Sequence, residues 1–566
     1  MILILLAFVT PSTVLTIEKP PNMVFILADD VGWADTSLVG GYQIPTPNLD
    51  ALAANGLLLT QHYTMQTCTP SRAALLTGLY PIRMGMQRDV LLPAQPGGMN
   101  LSVPTLAERL KDLGYKTHAL GKWHLGYSSI DYTPTRRGFD TFFGYYNTAK
   151  YYYFAALNFD NRCGRDYWDD EQLVTDADGV YDTDLITNRA VDIISKHDTD
   201  KPLFMYMASL AAHGETMTRT TDAPERNLAK FPYIGDRNRT LLAGTVDALD
   251  EAVGRIVEAL HSRGMLANSV VVFASDNGGS PWGMYSNTGS NWPLRGVKGT
   301  LWEGGIRVPA IVWSPLLLRG TGVVLPRLAH LVDWLPTLYS AAGGNVSDLG
   351  TIDGLDLWPA LSTAKSGSTS AWPRSEFLIN IDTASGTSGY RDGNHKLLLF
   401  TSSKSNHTNP FNDKTLQKHI PVPGGMPEFE SEAAAEEYLD LLMKSSLAWK
   451  TLEELHVDAP CLAGALDGWR VKAAVRCSPQ QSGFNPRSEG RYLFDIESDP
   501  CELNDLSSTL PSVVDRLLKK LESYTGGVVP PRPLIMDPMG YPSFNDCVWA
   551  PWEPAARTTN RSCPCP

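Results

Sequence analysis

The chain has 566 residues, of which 19% are charged and 43% hydrophobic, proportions that exclude wholesale disorder. Its formal net charge of −13 argues against a nucleic-acid partner, since phosphate backbones are held by a surplus of Lys and Arg. The length predicts one large domain and one smaller one.

Residues 2–9 form an apolar run, closed by Pro11 and Ser12 and turning polar at Glu18-Lys19. It is too short to span a bilayer and predicts a signal peptide over about 1–16, although no Lys or Arg precedes it. No later segment reads as a membrane span. Five Asn-x-Ser/Thr sequons, at Asn100, Asn238, Asn345, Asn406 and Asn560, agree with a secretory route. Both a lysosomal and a secreted destination fit.

Four apolar runs then end in chemically capable residues, the pattern of buried strands whose C-terminal ends face a site. Residues 23–28 lead to Asp29-Asp30, and residues 116–120 lead to Gly121-Lys122-Trp123-His124. Residues 203–208 lead towards His213, and residues 270–274 to Ser275-Asp276-Asn277-Gly278-Gly279. Helical spacing lies between them at 48–55, 71–76, 105–113, 183–196 and 241–263. Such alternation predicts an α/β fold with ligands at strand C-termini. Past a loop-like stretch at 362–370 come strands at 377–381, 396–400 and 491–495 without parallel crossovers, and a helix at 513–524. They predict a smaller, mainly antiparallel C-terminal domain.

Adjacent carboxylates such as Asp29 and Asp30 repel unless a cation or a proton holds them. Together with Asp276 and Asn277 they offer oxygen ligands suited to Ca²⁺ or Mg²⁺, although helix capping and a turn are common uses of such sequences. Lys122 and His124 flank Trp123, so in an extended segment both point the same way, able to grip an anion and move a proton. His213 and Lys298 have equally ordinary structural alternatives. Cys68 precedes the predicted helix at 71–76, whose N-terminal amides favour an anion there. The common alternatives for such a cysteine are a buried hydrophobe or half of a disulfide.

The eight cysteines are Cys68, Cys163, Cys461, Cys477, Cys501, Cys547, Cys563 and Cys565. An oxidising compartment favours pairing. Setting Cys68 aside leaves an odd number, so one thiol is expected to be free or joined to another chain. Cys563-Pro564-Cys565 lies too near the chain end to be assumed structural.

In order and wording, several stretches together resemble the sulfatase family, on its arylsulfatase side. They are residues 22–32, Cys68-Thr69-Pro70-Ser71-Arg72, residues 121–126, 202–213 and 275–279, Asn291-Trp292-Pro293-Leu294-Arg295-Gly296, and Leu301-Trp302-Glu303-Gly304-Gly305. Pro134-Thr135-Arg136-Arg137-Gly138-Phe139-Asp140 points the same way. The likeness runs from about 22 to 552 and is weakest over about 383–489.

The resemblance implies an alkaline-phosphatase-like α/β large domain with a mixed central sheet, over 22–370. A smaller C-terminal α+β domain with an antiparallel sheet and a tail would follow over 371–566. It implies that a formylglycine-generating enzyme oxidises Cys68 to formylglycine, an aldehyde whose hydrate is the nucleophile. It implies one Ca²⁺ held by Asp29, Asp30, Asp276 and Asn277 beside residue 68, with Arg72, Lys122, His124, His213 and Lys298 binding sulfate or handling protons. His124 would remove a proton to release sulfate, and either His213 or Lys298 would protonate the leaving oxygen. The implied substrate is a sulfated glycan of N-acetylgalactosamine 4-sulfate type, or an aryl or small-molecule sulfate ester.

One departure is that Gly214-Glu215-Thr216 follows His213 where relatives commonly carry a Glu-Pro pair, which unsettles the substrate inference. Tyr145, Tyr146, Tyr151, Tyr152 and Tyr153 suit either a sugar-binding entrance or packing, packing being favoured. Two alternatives stand beside this reading. One is a phosphatase or phosphonate esterase of the same superfamily, disfavoured because a two-zinc site wants more His ligands and a Ser or Thr nucleophile. The other is an inactive sulfate-binding protein.

Overall fold

The computed structural model describes residues 19–565 apart from 284, 318–321, 365–370, 402–418, 420, 456–467, 478–483, 485, 487–488, 554–562 and 564. The expected signal peptide, Cys461 and the sequons at Asn406 and Asn560 lie outside the described residues. Asn100, Asn238 and Asn345 are exposed. Among the described residues no helix is long and apolar enough to cross a membrane.

Twelve strands precede residue 331: Asn22–Ala28 (β1), Leu57–Tyr63 (β2), Lys116–Lys122 (β3), Thr141–Tyr145 (β4), Ala156–Phe159 (β5), Arg162–Arg165 (β6), Trp168–Asp169 (β7), Gln172–Leu173 (β8), Leu203–Ala208 (β9), Ser269–Ser275 (β10), Arg307–Trp313 (β11) and Val323–His330 (β12). Ten of them form one mixed sheet in the order β12-β2-β11-β10-β1-β9-β3-β4-β7-β8, while β5 and β6 pair as a hairpin. The five central strands, β10 to β4, are parallel. β11 runs against both β10 and β2, so β2 points the same way as the central five.

The parallel strands read as unbroken apolar runs because both faces are covered. In β1, Met23, Phe25 and Leu27 pack on one face with the helices Cys68–Thr77, Leu106–Asp112 and Trp334–Ala341. Val24, Ile26 and Ala28 pack on the other with the helices Pro47–Ala54, Asp182–Lys196 and Arg237–Ser262. The result is the expected α/β body with a mixed central sheet, here in three layers. Helix starts obey the cap chemistry in places: Thr105 and Glu108 form a reciprocal capping box ahead of Leu106–Asp112.

A second sheet is antiparallel throughout, in the order Glu376–Asp382 (β13), Thr387–Asp392 (β14), His395–Phe400 (β15) and Gly490–Asp495 (β16). The helix Pro511–Thr525 packs against β14. The helices Glu432–Ser445 and Leu447–Leu455, which lie between β15 and β16 in sequence, pack on the first body, against Pro47–Ala54 and Arg237–Ser262. Residues 528–552 also return to it: Val529 N–H donates to Ile82 O (2.8 Å), Trp549 N–H to Arg165 O (2.8 Å) and Trp552 N–H to Ser128 O (2.9 Å).

Three disulfides join Cys163 to Cys565, Cys477 to Cys501 and Cys547 to Cys563. Cys563 and Cys565, whose structural role could not be assumed from the sequence, are both paired. Nearness to the chain end proved a poor guide, because this tail is fastened to a hairpin 402 residues upstream. Among the described residues Cys68 is the free cysteine.

Candidate active site

Register places the site. Ala28 pairs with Ser275, and Ala208 pairs with both Leu27 and Gly121, so β10, β1, β9 and β3 end side by side. Each releases its polar residues at that rim, and the chain leaving β2 adds the helix Cys68–Thr77. That helix starts at Cys68 itself, with Thr67 as N-cap, earlier than the predicted 71–76. Gly278 keeps the rim closed, since a Cβ there would lie 1.9 Å from Gly304 O.

Three buried carboxylates face three buried cations. Lys122 Nζ donates to Asp29 Oδ2 (2.5 Å) and Lys298 Nζ to Asp30 Oδ2 (2.7 Å). Arg72 grips Asp276 Oδ2 through Nε (3.1 Å) and Nη2 (2.8 Å), holds the Lys122 carbonyl through Nη1 (3.1 Å), and reaches Asp29 at 3.5 Å. Asn277 Nδ2 donates to Asp30 Oδ1 (2.7 Å). Cys68 Sγ lies 3.4 Å from Asp29 Oδ1, and His213 Nε2 lies 3.7 Å from Asp30 Oδ2. Every predicted site residue is buried.

The electrostatics split the adjacent carboxyls. Burial raises both, but around Asp29 it is overcome by the charges of Lys122, Arg72 and Lys298, which hold Asp29 well below the usual range. Asp30 is pushed up to about 7 by burial, against Lys298 and with the charges of Asp29 and Asp276. Burial, then Asp276 and Asp29, drives the Cys68 thiol well above its ordinary value. A thiol so placed stays protonated and is a poor nucleophile, unlike reactive cysteines set among cations.

His124 departs from the extended geometry expected of it. Its φ is 57°, so the chain turns after Trp123 and the ring does not follow Lys122 by simple alternation. Nε2 lies 3.0 Å from Leu91 O; facing a carbonyl it carries the proton, which leaves Nδ1, buried and without a partner, as acceptor. Burial, then the charges of Lys122 and Arg72, keeps this ring neutral. His213 is likewise held neutral by burial and by Lys298 and Lys122, with Nδ1 2.7 Å from Gly214 O.

Supporting residues escaped sequence reasoning. Thr69 Oγ1 donates to His124 O (3.0 Å) and accepts from Leu91 N–H (3.1 Å), tying the helix to His124 and the loop at Leu91. Asp35 accepts from Arg239 Nη1 (2.5 Å), Gly32 N–H (2.8 Å) and Ser290 N–H (2.9 Å), fixing the loop after β1. Thr69 sits inside the Cys68 motif and so could have been suspected. Asp35 and Leu91 carried no signal. Glu215 is buried; it accepts from Tyr152 N–H (2.8 Å), and Tyr152 Oη donates to His213 O (3.1 Å). Tyr145, Tyr146, Tyr151 and Tyr152 are buried and Tyr153 is half-buried, as packing rather than an entrance requires.

The donor set suits a hard cation. Asp29, Asp30, Cys68 and His213 bring ligand atoms within 4.8 Å of one another, and Asn277 Oδ1 is a buried acceptor with no partner. Carboxylate and amide oxygens of this kind fit Ca²⁺ or Mg²⁺.

The sulfatase family model matches residues 21–344. Arylsulfatase J of Mus musculus is 36% identical over 542 residues, covering 94% of this chain and 80% of its own. N-acetylgalactosamine-6-sulfatase of Mus musculus is 35% identical over 361 residues, 61% of this chain and 66% of its own. The crystal structure of the PsFucS1 sulfatase from Pseudoalteromonas sp. matches with a TM-score of 0.61 at 20% identity, covering 90% of each chain, a likeness of fold. With Asp29 to Lys298 all inside the matched span and one relative similar along almost the whole length, this chain belongs to the sulfatase family, the sulfuric ester hydrolases.

Proposed function

We propose that this enzyme hydrolyses sulfate esters through a formylglycine made from Cys68, with one Ca²⁺ held by Asp29, Asp30, Asp276 and Asn277. The observation that carries the reading is the state of residue 68: a buried thiol held protonated beside two carboxylates, yet facing Lys122 and Lys298. As cysteine it is ill suited to attack; converted, it presents an oxygen nucleophile in a polar rim. The hydrated formylglycine supplies two hydroxyls, one to attack sulfur and displace the alcohol, the other to expel sulfate and regenerate the aldehyde. When bound, Ca²⁺ supplies Lewis acidity that makes the hydrate a better nucleophile and neutralises sulfate oxygens.

The chain's own residues do the remainder. Arg72 and Lys122 hold negative charge at residue 68 and on the sulfate. His124, neutral and with Nδ1 open, takes the proton that accompanies sulfate release. Protonation of the leaving oxygen falls to His213 and Lys298. His213 Nδ1 lies 2.7 Å from Gly214 O, which leaves Nε2 as the ring atom to face the leaving oxygen, and Lys298 is the ammonium held by Asp30.

The substrate is read as a sulfated glycan of N-acetylgalactosamine 4-sulfate type or an aryl or small-molecule sulfate ester, a class to which the similar arylsulfatase and N-acetylgalactosamine-6-sulfatase lend support by name. The catalytic unit is drawn over 22–370 and the smaller unit over 371–566. Exposed sequons and three disulfides support passage through the secretory pathway, to the lysosome or outside, with a formylglycine-generating enzyme as maturation partner.

Peptide mass spectrometry of the purified, glycosylated protein is expected to show the Cys68 peptide as formylglycine. Assays on matched aryl sulfate and aryl phosphate are expected to favour sulfate. An unmodified thiol in every molecule would point to a binding protein, and faster phosphate cleavage to a phosphatase.

A further inference from the structure

Where the antiparallel sheet meets the catalytic rim, two buried side-chain amides converge on one carbonyl. Gln66 Nε2 (3.0 Å) and Asn380 Nδ2 (2.9 Å) both donate to Gln87 O. Only an N–H can face a carbonyl, so this contact fixes which end of each amide is which and turns the oxygens elsewhere. Gln66 Oε1 and Asn380 Oδ1 are left buried with no hydrogen-bond partner among the described residues, in residues 4% and 0% exposed. Buried acceptors are nearly always satisfied, and two orphans sharing one anchor mark a place where something else donates.

The pair belongs to the rim by position. Gln66 lies two residues before Cys68, so at most about 7 Å separates their Cα atoms. Its carbonyl accepts from Gly299 N–H (2.7 Å), next to Lys298 in the chain. Gln87 is steadied by its own side chain, whose Nε2 donates to Val529 O (2.8 Å). Asn380 comes from β13 and shares a face with Asp382, two residues on and also buried. Burial pushes Asp89 up to about 6, against the Val90 N–H and the charges of Arg88 and Lys298 and together with that of Asp382. Its carboxyl is thus a further acceptor, within electrostatic reach of both the Lys298 ammonium and the sheet.

The unsatisfied atoms are acceptors, so the missing partner is a donor. A free cation would meet the repulsion of Lys298 and Arg88. The hydroxyls and amide N–H of a sugar are neutral donors and meet none. We infer that Gln66 and Asn380 form a sugar-recognition subsite, their side-chain oxygens accepting from a ring hydroxyl or an N-acetyl N–H of the sugar whose sulfate sits at residue 68. This rests on the sulfatase reading. It makes the antiparallel sheet, through Asn380, part of the substrate pocket. A site built of such acceptors rejects a ligand that lacks the matching donor, because the acceptors are then left unpaired.

The test compares the parent with Gln66→Met and Asn380→Leu, all full-length and glycosylated. The substrates are nitrophenyl sulfate, the nitrophenyl glycoside of N-acetylgalactosamine 4-sulfate or 6-sulfate, whichever the parent cleaves faster, and analogues of that glycoside lacking one hydroxyl or the acetamido group. In the parent, removal of the recognised donor is expected to lower kcat/KM by about tenfold. In either variant that loss should shrink to within about twofold, since the acceptor it met is gone. Thermal melting reports whether each variant folds, and where one does not, the other decides. A purely structural role would lower activity on every analogue alike and keep the parent's discrimination, which would overturn the subsite. A parent that cleaves all analogues equally would overturn it too, leaving ordered water or a cation as the occupant, as would one that cleaves nitrophenyl sulfate but neither sugar sulfate. Each of these outcomes leaves the sulfatase reading standing. Failure of the parent to cleave any sulfate ester would remove both.

Discussion

Two buried charge clusters in this molecule look alike at first and serve different ends. At the rim, Asp29, Asp30 and Asp276 meet Arg72, Lys122 and Lys298. Between the two sheets, Lys396 Nζ bridges Glu303 Oε1 (2.9 Å) and Glu502 Oε1 (2.8 Å), while Glu303 Oε2 takes Tyr63 Oη (2.8 Å) and Arg307 Nη1 (3.3 Å). In both, neighbouring carboxyls are pushed apart: burial opposes but Lys396 and Arg307 prevail at Glu303, held down at about 2, whereas burial and Glu303 raise Glu502 to about 7. Shifted acidity alone therefore does not distinguish function from scaffold. The rim differs in having a protonated thiol among the carboxylates and an open acceptor on Asn277, and in being assembled at four parallel strand ends.

The sharpest way to break that contrast is Cys68→Ala. Turnover of any sulfate ester is expected to fall to background with the unfolding free energy changed by no more than about 1 kcal/mol, read by denaturant titration beside the assay. The counterpart is Lys396→Ala, which strands two carboxylates between the sheets. It should cost about 3–5 kcal/mol of stability while the folded fraction keeps its turnover. If Lys396→Ala silenced the enzyme without destabilising it, the two clusters would not be separable in this manner.

A smaller effect is expected from His213→Ala, about 10²–10³-fold in kcat. It should recede with substrates whose leaving group needs no proton, such as an acidic phenol sulfate. An equal loss on both substrates would deny His213 a part in leaving-group departure. Smaller again is the pH signature of Glu502. Its folded value lies above the ordinary 4.5, so its contribution is full below that and is lost as pH rises through about 7, some ~3 kcal/mol in all. Glu502→Gln should flatten stability between about pH 5 and about pH 8; an unaltered slope would assign it elsewhere.

Much of the rim was legible because buried parallel strands announce themselves as unbroken apolar runs, and the residues just past each run land at one edge. That logic brought out Asp29, Lys122, His213 and Asp276 without any knowledge of pairing order. It misjudged His124, because alternation of side chains presumes extended backbone and the chain turns there at φ 57°. It could not reach Leu91 or Asp35, whose parts arise from contacts between segments far apart in sequence. The helices that fill the sequence between β15 and β16 yet pack on the first body were equally hidden, since amphipathic spacing says which face is buried but not against what.

The fastening of residues 528–552 onto the first half has a consequence for damage tolerance. A polypeptide truncated shortly after the helix Pro511–Thr525 would keep the residues of the rim and both sheets, yet lose the cystines at 547 and 565. It would also uncover the loop 82–97 behind His124. Residues 528–552 are in this sense the part that finishes the wall.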